Sequence, residues 1–112
     1  MTDYALIWAA AKLAGQIAAE AENCRLPPES QRGLDCGFAW VSFPGNTQFG
    51  RWAKKTGVAS KGYPSGLQIW YSKIHDIGTQ SVSVHEAACR AARDALGHGL
   101  QTSTISMGSR LD

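Results

Sequence analysis

The eight residues CGFAWVSF, from Cys36 to Phe43, constrain the fold more than any other part of the chain. Aromatic and β-branched residues dominate this stretch, and the turn signal Pro44-Gly45 follows it, so it predicts a β-strand. Because side chains alternate across a strand, Phe38 and Trp40 share one face and Phe43 lies on the other. Aromatic groups on both faces indicate either a central strand covered on each side or a sheet that binds a ligand.

The chain has 112 residues, which predicts a single domain that is large enough to bury a hydrophobic core without disulfide bonds. Its three cysteines form no CxxC pair, so we expect reduced thiols rather than a disulfide framework. Asp3 and Lys12 flank and interrupt the apolar run near the N-terminus, which argues against a signal peptide. The sequence therefore predicts a cytoplasmic protein with no membrane contact.

Positive charge is concentrated in the middle of the chain, although the formal net charge is only +2. Residues 36–75 contain five basic and no acidic residues: Arg51, Lys54, Lys55, Lys61 and Lys73. Such a block produces a positive local field, which favours an anionic partner. An ordinary solvated surface is the alternative, and a cation near a helix end is also stabilised by the helix dipole.

An alanine-rich helix is predicted from Thr2 or Asp3 to about Asn23. Leu6, Leu13 and Ile17 fall on one stripe of this helix, together with several alanines, and need a surface to pack against. No periodic pattern covers residues 24–35, which contain a Pro-Pro pair and read as a linker.

The α+β core is predicted over residues 36–112. After the first strand, hydrophobic patterns and turn signals predict a helix over 48–55, strands over 58–62 and 67–72, a helix over 84–96 and a strand over 101–107. A capping-box pattern at 83–86 marks the start of the last helix, and two glycines at 97 and 99 mark its end. The tail from 108 has no pattern of its own.

This order of elements predicts a ferredoxin-like βαββαβ antiparallel sheet with both helices on one face. Right-handed crossovers place the first and third strands at the centre, so Phe38, Trp40 and Trp70 meet on the helix-free face. They form either an aromatic platform for a ligand or a covered core. We expect the N-terminal helix or a second subunit to cover them, because exposed patches of this size are rare on monomers.

The stretch Gly37–Phe43, GFAWVSF, resembles the longer ribonucleoprotein signature of RNA-recognition motifs. That resemblance implies a sheet on which aromatic side chains stack nucleic-acid bases. Cys36 stands where this signature has Lys or Arg, and the stretch lies on the first strand rather than the third.

A wider resemblance covers residues 36–112. The words CGFAWV, PGN, FGRW, GLQIW, HEA and GSRLD resemble those of small uncharacterised proteins encoded by tailed phages and prophages. The resemblance implies a viral accessory protein in a bacterial host cytoplasm, without an assigned chemistry.

Residue types with catalytic or metal-binding capacity do not form a recognisable site in the sequence. His85 and Cys89 have the spacing of two metal ligands on one helix face. A third ligand would have to come from Cys36, His75 or His98, and the position of none of these in the sequence supports that role. Cys36 as a nucleophile with a histidine base lacks any local signature. We therefore expect no metal, no cofactor and no enzymatic activity.

The sequence favours a binding protein that uses its basic block to engage nucleic acid or a nucleic-acid-handling host complex. The alternative is a homodimeric inhibitory or structural protein that binds a host protein, such as a defence-system component, through apolar faces.

Overall fold

Three α-helices and a four-stranded sheet form the described part of the chain. The computed structural model describes residues 2–26, 36–62 and 65–111. The helices are α1 (Tyr4–Arg25), α2 (Gln48–Lys55) and α3 (Val82–Leu100). The strands are β1 (Gly37–Phe43), β2 (Ser60–Lys61), β3 (Leu67–Trp70) and β4 (Ser106–Leu111), and a 3-10 helix (Tyr71–Lys73) follows β3. Most of the predicted linker lies outside the described residues, and its first two residues belong to α1.

The sheet is antiparallel, with the strand order β2-β3-β1-β4, so β1 and β3 occupy its centre. Val41 of β1 pairs with Ile69 on one side and with Met107 on the other. Residues of β1 alternate between buried and half-buried, because Ala39, Val41 and Phe43 point toward the helices. The α+β class predicted from the sequence is confirmed.

Helix α2 forms over the predicted residues because a side chain caps its first turn and its apolar face packs against the sheet. The Thr47 side-chain oxygen accepts a hydrogen bond from the Gly50 backbone N–H at 2.9 Å. Phe49 is buried and its ring lies 5.2 Å from that of Phe43, on the helix side of β1. Helix α2 therefore packs on the same side of the sheet as the core.

Helix α1 packs along α3, and small residues make this contact. Ala11, Gly15 and Ala19, spaced one turn apart, are its buried positions. A Cβ atom at position 15 would collide with the Ile74 side chain and lie 3.0 Å from the Ala88 backbone oxygen, so only glycine permits this approach. The two helix backbones are therefore closer together than larger side chains would allow.

Three large apolar residues of α1 point away from the protein. Leu6, Leu13 and Ile17 are 68%, 61% and 57% exposed. Helix α1 therefore does not cover the aromatic sheet face, which was one of the two expected covers, because the Ala-Gly-Ala surface on the opposite side of the helix packs closely on α3. The other expected cover, a second subunit, stays a prediction.

Two boundaries of α3 differ from the prediction. The helix begins at Val82 after Ser81, and no side-chain bond caps it, so the predicted capping box is not its start. It continues through both glycines to Leu100 and ends at Gln101, whose φ of 53° is left-handed. Gly99 lies in the last turn of α3, where the absence of a side chain lets Ile7 of α1 approach: a Cβ there would lie 3.0 Å from Ile7 Cγ2.

The strands after α2 are shorter or shifted relative to the prediction. β2 contains only Ser60–Lys61, and β3 stops at Trp70, where the 3-10 helix begins. β4 runs over Ser106–Leu111 instead of 101–107, because α3 continues to Leu100 and residues 101–105 form the turn and loop that follow it. The tail that carried no sequence pattern is therefore part of the sheet.

The close approach of α1 to α3 yields a stability prediction. Gly15→Leu should lower the free energy of unfolding by about 1–3 kcal/mol, the typical cost of overpacking a tight contact. Ala5→Leu, at an exposed position of the same helix, is the matched control and should change stability by less than about 0.5 kcal/mol. Urea denaturation measures both variants, and equal midpoints would contradict the proposed packing.

Candidate binding face of the sheet

One side of the sheet is covered by helices, and the other side, called here the open face, is not covered by any described helix. Buried residues of β1 and β3, such as Val41 and Ile69, mark the covered side. Because directly paired residues of antiparallel strands share a face, the registers define the open face. It consists of Phe38, Trp40, Ser42, Ser60, Gln68, Trp70, Ser106, Gly108 and Arg110.

An aromatic cluster occupies one half of the open face. The Trp70 ring centroid lies 5.5 Å from that of Trp40 and 6.1 Å from that of Phe38, and both contacts are edge-to-face. This geometry is the one that aromatic quadrupoles favour. Phe38 and Trp40 are half-buried and Trp70 is 36% exposed, so the cluster is ordered yet accessible to solvent.

Trp40 lies flat on the backbone of β4. A Cβ at position 108 would lie 2.7, 2.8 and 3.0 Å from Cζ2, Cε2 and Nε1 of the Trp40 indole, so Gly108 is required for the ring to rest there. These nearly equal distances show that the ring presents its face, rather than its edge, to the strand. The opposite face of the indole is consequently turned away from the sheet.

The rest of the open face is polar or cationic. Arg110 pairs across the strands with Phe38 and is exposed. The hydroxyl oxygens of Ser42 and Ser106 lie 2.8 Å apart and form a hydrogen bond across the strands. No carboxylate occupies an open-face position of the described strands, so the only formal charge there is positive.

Sequence reasoning placed the three aromatic residues on one face and missed Gly108 and Arg110. It missed them because the predicted strand 101–107 ends four residues before the observed end of β4 at Leu111. The tail after Met107 carries no periodic pattern, so no local signal in the sequence marks these residues as part of the sheet.

The predicted basic residues lie on three different elements and are all exposed. Arg51, Lys54 and Lys55 are on α2, Lys61 is on β2, and Lys73 is on the 3-10 helix. Among the described residues, none of these five cations lies within 4.0 Å of a carboxylate. Lys61 pairs with the buried Leu67, which places it on the helix side of the sheet. The structure therefore does not bring the basic residues onto the open face.

Two histidines form a buried pair on the helix-covered side of the sheet. His75 is 5% and His85 0% exposed, and Nε2 of His75 lies 2.9 Å from Nδ1 of His85. The Ile77 backbone N–H donates to Nδ1 of His75 at 3.1 Å, so Nε2 of neutral His75 carries the proton and donates to His85. His85 then carries its own proton on Nε2, which has no partner among the described atoms. Tyr71 stacks on the His85 ring at 3.6 Å.

This histidine pair is a structural feature of the core. Burial lowers the pKa of His75, and burial followed by the neighbouring His75 lowers the pKa of His85 to about 4. Both rings are inaccessible to a substrate. The carboxylate of the neighbouring Asp76 accepts a hydrogen bond from Gln16 Nε2 at 2.8 Å.

The other candidate chemical groups are also separated. Burial, followed by the charge of Glu86, raises the pKa of the Cys89 thiol to about 12, which makes it a poor ligand and nucleophile. The Cys36 thiol donates to Gln80 Oε1 at 3.2 Å, while the two histidines bond each other. Within the described ranges, no group of three or more His, Cys, Asp or Glu side chains is placed to hold a metal ion.

Comparison with known proteins gives no relative on which to base a function: no protein-family model, curated protein or solved structure matches the chain significantly. Among the described residues, no helix combines the length and apolar character needed to cross a bilayer. The functional assignment therefore depends on the chemistry of the site.

The histidine pair predicts acid-sensitive stability. Unfolded histidine binds protons near pH 6.5, whereas folded His85 does so only near pH 4, so protons favour the unfolded state between these values. Stability is therefore complete above pH 6.5 and lost as the pH falls toward 4, by about 3 kcal/mol for a shift of this size. Urea denaturation across this range measures the loss.

Matched variants identify the histidines responsible. His85→Leu should flatten most of the pH dependence, whereas His98→Gln, at an exposed position of the same helix, should leave it unchanged. A wild-type stability that stays constant from about pH 7 to 5 would exclude the neutral buried pair.

Proposed function

We propose that this protein binds single-stranded nucleic acid on the open face of its sheet. One observation carries the proposal: Trp40 and Trp70 form an accessible aromatic cluster beside Arg110, on a face without carboxylates. Every base has a π-face, so an aromatic surface next to a cation binds single strands with little sequence preference.

The roles of the open-face residues follow from their chemistry. Trp40, held flat by Gly108, offers one indole face to a base, and the exposed Trp70 offers a second contact next to it. Arg110 contacts a phosphate or stacks on a neighbouring base. Ser42 and Gln68 supply hydrogen-bonding groups at the other end of the same face. A segment of about two to three nucleotides fits this arrangement.

The predicted basic residues assist from outside the open face. Lys61 lies on the edge strand β2, where a nucleic-acid strand leaving the open face passes it. Arg51, Lys54, Lys55 and Lys73 add a positive field that attracts the phosphate backbone before contact. Their contribution is long-range and sensitive to salt, whereas that of the aromatic cluster is short-range.

The broader assignment is a non-enzymatic accessory protein of phage type in a bacterial host cytoplasm, with a ferredoxin-like core. The antiparallel strand order and the helical connections between the strands support this core. The partner is nucleic acid itself or a host complex that handles it. The alternative is a homodimeric inhibitory or structural protein that binds a host protein, such as a defence-system component, through apolar faces, and the exposed Leu6 and Leu13 of α1 favour it.

The aromatic contribution is tested with an oligonucleotide of about 12 nucleotides, as DNA and as RNA. Trp70→Ala should weaken binding by about 1–3 kcal/mol, or roughly 5- to 150-fold in Kd. Leu111→Ala removes a 66% exposed apolar side chain from the helix side of the same sheet and should leave Kd unchanged. Fluorescence anisotropy measures both, and equal affinities of the two variants would refute the proposal.

The electrostatic contribution is tested by titrating salt. Each phosphate contact adds about 0.7 to the slope of log K against log salt for a single strand, so Arg110→Ala should reduce the slope by about that amount. Lys54→Ala with Lys55→Ala should reduce it further if these lysines meet phosphates. Binding that is independent of salt, or absent at low salt, would exclude nucleic acid as the partner.

A further inference from the structure

Helix α1 presents an apolar stripe that no described part of the chain covers. Leu6, Leu13 and Ile17 are separated by seven and four residues, which places them within about 40° of one another around the helix. Cys24 continues the same line and is exposed. With 22 residues, α1 is about 33 Å long, and this stripe runs along most of its length.

Among the described residues, the charged groups beside the stripe have no partner of opposite charge. Gln16 Nε2 donates to Glu20 at 3.0 Å and to Asp76 at 2.8 Å, so two carboxylates share one amide. No cation of the described residues lies within 4.0 Å of either carboxylate. Lys12 borders the same groove and likewise has no carboxylate partner among them. It lies eight residues before Glu20, or about 12 Å along the helix.

We propose that α1 is the interface of a homodimer in which two copies of the helix pair in antiparallel orientation. When Leu13 of one copy lies opposite Ile17 of the other, Ala10 lies opposite Glu20 and Leu6 opposite Cys24. Lys12 of each copy then approaches the carboxylates of Glu20 and Asp76 of the second copy. A parallel pair would instead place each Lys12 at the level of the other Lys12, about 12 Å along the axis from either Glu20, so no lysine would meet a carboxylate.

The charges therefore favour a second copy of α1 as the partner of this stripe, in antiparallel orientation. A cation in the N-terminal half of the stripe and carboxylates in its C-terminal half make this surface complementary to itself by two-fold rotation. Antiparallel packing also aligns the two helix dipoles favourably. Exposed alanines at positions 9, 10 and 21 permit close approach of the helices. A contact about 33 Å long and 10 Å wide is small for a protein interface, so association in the micromolar range is expected.

Sedimentation velocity without nucleic acid, from about 5 to 300 µM protein, measures the dimer. Leu13→Glu should raise the dissociation constant at least about tenfold, and circular dichroism verifies that this exposed substitution leaves the fold intact. Lys12→Glu and Glu20→Lys should each weaken the dimer, because each places like charges together. The double variant Lys12→Glu/Glu20→Lys should return to within about threefold of wild type.

Disulfide formation tests the orientation. Oxidised wild-type protein should form no Cys24–Cys24 link, whereas Leu6→Cys should form a covalent dimer that disappears when Cys24→Ser is added. A chain that stays monomeric at about 300 µM, a double charge variant that is not rescued, or an efficient wild-type Cys24 link would each overturn the proposal. Oligonucleotide binding to the open face is measured separately, so failure of the dimer proposal would not count against it.

Discussion

The close contact of α1 with α3 at Gly15 determines which surfaces of this protein remain open. Gly15 lies against the backbone of Ala88 and the buried Ile74, and Ala11 and Ala19 extend this surface by one turn on either side. Dispersion and tight packing stabilise such a contact even though each residue contributes little apolar area. Because this side of α1 faces α3, the side chains of Leu6, Leu13 and Ile17 on the opposite side face outward.

Two apolar surfaces with different chemistry result from this arrangement. The open face of the sheet has aromatic rings and Arg110 but no carboxylate, which suits stacked bases and phosphate. The stripe of α1 has aliphatic side chains flanked by Lys12 and Glu20, which suits a second copy of the same helix. The proposed functions are therefore independent, and a dimer formed through α1 would present two open faces.

The sequence predicts the local features of this fold better than its long-range contacts. Alternation along β1 places Phe38 and Trp40 on one face, and Thr47 marks the start of α2, because both features depend on neighbouring residues. The orientation of α1 could not be predicted, since hydrophobicity favours the leucine stripe and the close approach at Gly15 depends on α3. The contact of His75 with His85 likewise depends on how the chain turns after β3.

Hydroxyl-radical footprinting with mass spectrometry tests most directly whether the sheet face is open and binds a single strand. In dilute protein, Trp70 should be the most reactive of the four tryptophans, because its side chain is the most exposed of the four. Addition of an oligonucleotide should protect Trp70 and Trp40 and leave Trp8 and Trp52 unchanged. Protection of Trp40 and Trp70 in the free monomer, or no change on addition of the oligonucleotide, would contradict this account.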